Sequence, residues 1–156
     1  MNFIQFLQES TSTTGLSGKA EQYYNSAIEY FRKELKIPAN TKVNVHFNYD
    51  HDFGQGHNGS TLPDLHQDNA VNVYLRDGLD RATLMKALGH EMVHVEQMAN
   101  KRLNLEIVDG QLKSIEWEGE PQKSFNYNRN AEWELEAHSM ENQLMRGAIQ
   151  AVGNLM

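Results

Sequence analysis

The stretch Arg81 to Lys101 sets Leu84, Met85, Leu88, Met92, Val95 and Met98 at three- and four-residue spacing, the pattern of a long helix with one face in a core. Asp77 or Asp80 can cap its N-terminus. Inside it stands His90-Glu91-Met92-Val93-His94. Residues four apart on a helix lie about 40° from eclipsed and one turn along the same face, so both imidazoles can reach one metal ion. Glu91 is turned too far round to complete a compact ligand set. It can instead hydrogen-bond a water at an open metal position and take its proton. A chance match would leave two ordinary histidines, but the apolar x positions, a preceding strand and carboxylates downstream favour a metal site.

Composition narrows the ligand chemistry. There are seven histidines and no cysteine, so a transition metal must be held by His, Asp and Glu. A formal charge of −7 argues against a nucleic-acid partner, which needs clustered Lys and Arg. No apolar run approaches the roughly 20 residues that span a bilayer, and Met1 to Ser10 has no basic or continuously apolar signal region. A soluble chain without a secretory signal or membrane partner is expected. At 156 residues and 39% hydrophobic, one domain over 18–156 is expected, after an N-terminal segment and flexible link over 1–17.

Other elements follow from period and punctuation. Ser10 to Gly18, rich in Ser, Thr and Gly, reads as the link. Tyr24, Ala27, Ile28, Phe31 and Leu35 predict a helix from about Gly18 to Lys36, capped by Ser17 and stopped by Pro38. Val43, Val45, Phe47 and Tyr49 alternate as a strand, and Ala70 to Leu75 alternate as another. Between them, His51 to Asp68 reads as a long loop. Leu103 to Val108 and Gln111 to Trp117 flank Asp109-Gly110, the dipeptide of a type I′ hairpin. After a loop over Gly119 to Arg129, Asn130 can cap a last helix through Glu132, Leu135, Ala137, Met140, Leu144 and Ile149. The fold class is α+β: an N-terminal helix, a small mixed sheet, the His90 helix packed beneath it, a hairpin and a C-terminal helix.

A catalytic zinc takes three protein ligands and keeps a fourth position for water. Asn100 stands where a third His six residues on would have to be, which excludes that ligand pattern. Glu132 and Glu136 share a face of the last helix and are candidates. Glu132, Glu134 and Glu141 also read as a solvated acidic face. His46, His51, His57 and His66 fit no compact ligand spacing. His138, two residues after Glu136, faces away from it.

Between about Ala70 and Met145 the chain resembles the gluzincins, the thermolysin-like zinc metallopeptidases, in their minimal single-domain form. The resemblance rests on Leu88-Gly89-His90-Glu91-Met92-Val93-His94-Val95 and on Trp133-Glu134-Leu135-Glu136-Ala137. It implies a minimal zincin-like domain holding one Zn2+ per chain on His90, His94 and Glu136, the Glu followed by a small residue, with Glu132 in reserve. It further implies hydrolysis of a peptide bond in a protein or peptide substrate, with Glu91 as general base and endopeptidase action. Tyr127 either donates to the developing oxyanion or packs in its loop. Asn72, Val73 and Tyr74 would belong to the edge strand that pairs with substrate. Larger members orient a zinc-bound His with an Asp four residues after the ligand Glu; position 140 is Met, and Glu132 or Glu141 could serve instead. A monomer is expected. The alternative is a zinc-stapled, non-catalytic protein that sequesters a protein partner, against which Glu91 argues, having no purpose in a structural site.

The first ten residues resemble the capsid-targeting segments of internal head proteins of large tailed phages, which are cut after a triplet matched here by Leu7-Gln8-Glu9. That resemblance implies packaging in a phage head and delivery to the host cytoplasm. The alternative is an amphipathic turn docking Phe3 and Leu7 on the core.

Overall fold

A computed structural model describes residues 10–51, 53–54, 56–123 and 131–153. Tyr127, the expected cap Asn130 and the Leu7-Gln8-Glu9 triplet lie outside the described residues.

The architecture is α+β. Helix α1 (Gly18–Glu34) buries Tyr24, Ala27, Ile28 and Phe31. It ends in a Schellman turn: Lys36 takes φ 57° and the Ile37 amide donates to the Arg32 carbonyl at 2.9 Å. Strands β2 (Lys42–Tyr49) and β4 (Ala70–Arg76) run parallel, Val43 opposite Val71 and Val45 opposite Val73. These valines, with Phe47 and Leu75, turn inward onto the core shared with the helices.

Two segments depart from the sequence expectations. The stretch expected as a flexible link forms β1 (Thr11–Thr14), paired in parallel with β2. The cause lies on α1: the guanidinium of Arg32, a buried side chain, donates to the Ser10 and Thr41 carbonyls at 3.2 and 2.7 Å and to the Thr11 hydroxyl at 3.1 Å. Four polar residues at a sheet edge carry no apolar alternation, so the pattern hides the strand.

The second departure lies within the expected loop 51–68, which contains β3 (Gly59–Pro63), antiparallel to β4. The sheet order is therefore β1-β2-β4-β3, and β4 is an interior strand. Asn72, Val73 and Tyr74, expected on a substrate-pairing edge, face Asn44, Val45 and His46 on one side and Leu62, Thr61 and Ser60 on the other. Their backbone groups are already in two ladders, and the edge belongs to β3. Of β3 only Thr61 is buried, and Pro63 is tolerated because an edge strand has an unpaired side.

Helix α2 (Arg81–Ala99) starts at Asp80, whose Oδ1 accepts from the Thr83 amide at 2.7 Å. It leads to the hairpin β5 (Leu103–Val108) and β6 (Gln111–Trp117), joined by Asp109 at φ 52° and Gly110 at φ 75°, as a type I′ turn requires. After the short β7 (Glu120–Pro121), helix α3 (Glu132–Val152) packs on α2 and α1 through Ala137, Leu144, Ala148 and Val152. Of the residues expected in its apolar stripe, Ala137 and Leu144 are buried, whereas Leu135 and Ile149 are exposed, so the buried face covers only part of the expected one. Among the described residues, no helix is long and apolar enough to cross a membrane.

Candidate metal centre

His90 and His94 stand one turn apart on α2, their ring centroids 5.0 Å apart. Burial around this part of α2 is nearly complete: His94 and Glu91 are each 6% exposed. Each imidazole uses its Nδ1 for a fixed partner. His90 Nδ1 lies 2.7 Å from Glu141 Oε2, and His94 Nδ1 lies 2.8 Å from Gln97 Oε1. The acceptors fix the proton on each Nδ1 and turn both Nε2 atoms to a common point, the arrangement usual for metal-ligating histidines.

The carboxylate at that point is Glu134, from α3. Its Oε1 lies 2.6 Å from His94 Nε2 and its Oε2 lies 3.4 Å from His90 Nε2. His90, His94 and Glu134 together could hold a metal ion. The donor set fits one: ligands on a tetrahedral ion at about 2.0–2.1 Å stand roughly 3.3 Å from one another. The Glu134 contact to His90 already has that spacing, and the contact to His94 has to open slightly.

Glu136 does not reach the histidines, contrary to the expectation. Two residues along a helix turn the side chain to the other side, and Glu136 is taken by Arg102, at 2.6 Å to Nη2 and 3.0 Å to Nη1. Glu132, the reserve, accepts from Trp117 Nε1 at 2.7 Å. Glu134, expected on a solvated acidic face, instead points at His90 and His94, and of the two residues expected as possible partners of a histidine ring, Glu141 and not Glu132 stands beside His90. The overlooked signal was the buried stripe Ala137, Leu144 and Ala148, which extended back by three residues reaches Glu134. His138, four residues beyond Glu134, consequently turns toward the site, with its ring centroid 4.7 Å from that of His90.

The charges are coupled. Burial opposes protonation of His90, but the hydrogen bond to Glu134, the nearby Glu91 and the bond to Glu141 outweigh it and push His90 up to about 9. His94 moves the same way, burial again being outweighed by Glu134 and Glu91. Burial alone would raise Glu134; the two imidazoles overcome it and hold the carboxyl well below its usual range. The site is thus built to keep a carboxylate ionised between two groups that favour positive charge.

Glu91 faces the same cleft from the other side. Its Oε1 accepts from the Thr61 hydroxyl at 2.7 Å, which ties it to edge strand β3. The cleft, about 900 Å³, runs between β3 and the hairpin, with His90, Glu91, His94 and Glu134 in its wall. Leu105, Leu112, Ile115 and Trp133 make an apolar flank on the hairpin side. Comparisons with family models, curated proteins and solved structures found no match for this chain.

Proposed function

We propose that the chain is a zinc-dependent metallopeptidase. The observation that carries the reading is the convergence of His90, His94 and Glu134, drawn from two helices, beside a buried carboxylate that takes no part in the triad. A purely structural zinc site closes with four protein ligands, whereas three ligands and a free acid–base group are the makings of a hydrolytic one. Cysteine is absent and imidazole with carboxylate is a donor set zinc accepts, so zinc is the metal of choice here.

When bound, the metal supplies Lewis acidity toward the scissile carbonyl and toward a water. The rest is done by this chain. His90, His94 and Glu134 would hold the ion, with Glu141 and Gln97 fixing the two rings. Glu91, its Oε1 accepting from the Thr61 hydroxyl, removes the proton from the attacking water and passes it to the leaving amine nitrogen. The substrate lies extended along the outer edge of β3, the last strand of its sheet, where main-chain hydrogen bonds hold it across the cleft.

The test is incubation of the zinc-loaded chain with a mixed peptide library, with products read by mass spectrometry. Cleavage that disappears in Glu91→Gln while zinc is retained supports the reading. No cleavage by the zinc-loaded wild type at any site overturns it.

A further inference from the structure

Gln97 is wholly buried, yet its amide is fully used. Its Nε2 donates to the Trp133 carbonyl and to Glu136 Oε1, each at 3.1 Å, and its Oε1 lies 2.8 Å from His94 Nδ1. Two acceptors at one end fix which way the amide points. A flipped amide would set its oxygen against a carbonyl and a carboxylate, and present N–H to the imidazole. In the observed orientation His94 must carry its proton on Nδ1, which leaves the Nε2 lone pair for a ligand bond.

The Trp133 carbonyl belongs to the peptide bond that immediately precedes Glu134. Through one side chain, therefore, Gln97 grips the ring of one metal ligand and the backbone of another on a different helix. Glu136 is in turn locked by Arg102, which also binds Glu96 and Glu118 and lies 5.1 Å above the Trp117 ring.

We propose that Gln97 is the positioning residue of the metal centre, setting the tautomer of His94 and the distance between His94 and Glu134, with Glu136 and Arg102 as its anchor. This rests on the metallopeptidase reading, and it assigns to Glu136 a supporting place behind the ligands.

Zinc affinity, measured by competition with a chelator, and the visible spectrum of the cobalt-substituted chain test it. Gln97→Met keeps the side-chain volume and removes all three bonds. Its zinc dissociation constant is expected to rise about 10–100-fold, the usual effect of losing such an outer hydrogen bond, with a changed cobalt spectrum. A residue serving only the packing would lower the unfolding temperature and leave affinity and spectrum of the folded protein as they were, and that result overturns the proposal. Should Gln97→Met fail to fold, Glu136→Leu decides: it leaves Gln97 in place and removes the anchor that holds its amide from the partly exposed side. Its zinc dissociation constant is expected to rise several-fold with a changed cobalt spectrum, and wild-type affinity and spectrum overturn the proposal. Wild-type protein that takes up no zinc would instead overturn the metal-centre reading, and this inference with it.

Discussion

Gly59 on the edge strand lies directly against Glu91: a Cβ built on Gly59 would stand 2.9 Å from Glu91 Cγ and 2.9 Å from the Tyr74 carbonyl. The proposed general base thus passes through space that only glycine leaves open. Gly59→Ala has to push Glu91 or the β3–β4 ladder aside. It is expected to cost about 1–3 kcal/mol of stability as an overpacked site. Peptidase turnover should fall at least about tenfold with zinc still bound, since misplacement of a catalytic group by an ångström costs up to about 100-fold. Turnover equal to wild type would show that Glu91 has room to spare.

Glu134→Gln and Glu136→Gln should separate cleanly. The first removes a ligand and is expected to abolish stoichiometric zinc binding, read by metal analysis after gel filtration. The second keeps an acceptor for Gln97 and loses the partly exposed ion pair with Arg102, for a cost of about 1 kcal/mol in denaturant unfolding and retained zinc. Zinc lost from Glu136→Gln and kept by Glu134→Gln would reverse the ligand assignment.

Glu91→Gln should keep the fold and the zinc. Activity is expected to fall by at least about 10²–10⁴, the ordinary worth of general-base catalysis. Steady-state kinetics on any cleaved peptide will measure this, and undiminished kcat would remove Glu91 from the mechanism.

The metal-free chain should lose stability as pH rises. His90 sits at about 9 in the folded chain against 6.5 when unexceptional, so its contribution is complete below pH 6.5 and is lost as pH climbs through about 9. The loss is on the order of a few kcal/mol. Glu134, shifted down, acts oppositely: its contribution is present above its ordinary range and fades on acidification. Thermal unfolding in a chelator should therefore show a midpoint falling between pH 6.5 and 9, and a flat profile would mean that the Glu134 pairs do not form. Zinc at saturation should remove most of that slope above about pH 6.5, because binding requires the imidazoles to give up the same protons.

Much of this was legible in the sequence because the long elements obey simple periods. The α2 stripe, the alternation of β2 and β4 and the Asp109-Gly110 turn each stand as expected, and His90, His94 and Glu91 follow from a spacing that any regular helix converts into geometry. What escaped was set by contacts between distant parts of the chain. Thr11 to Thr14 became a strand because Arg32 holds its start, and Gly59 to Pro63 became the edge because β4 had a side to fill. Choosing between Glu134 and Glu136 needed the rotation of α3 about its axis. The expected stripe was too broad to fix it: of its residues Ala137 and Leu144 pack in the core, while Leu135 and Ile149 are exposed.

Because Glu134 comes from the last described helix, the His90–His94–Glu134 group is complete only where α3 is docked on α2. A chain whose α3 has not yet docked displays His90 and His94 without the carboxylate that completes them, and so cannot grip the ion in the way the finished protein does.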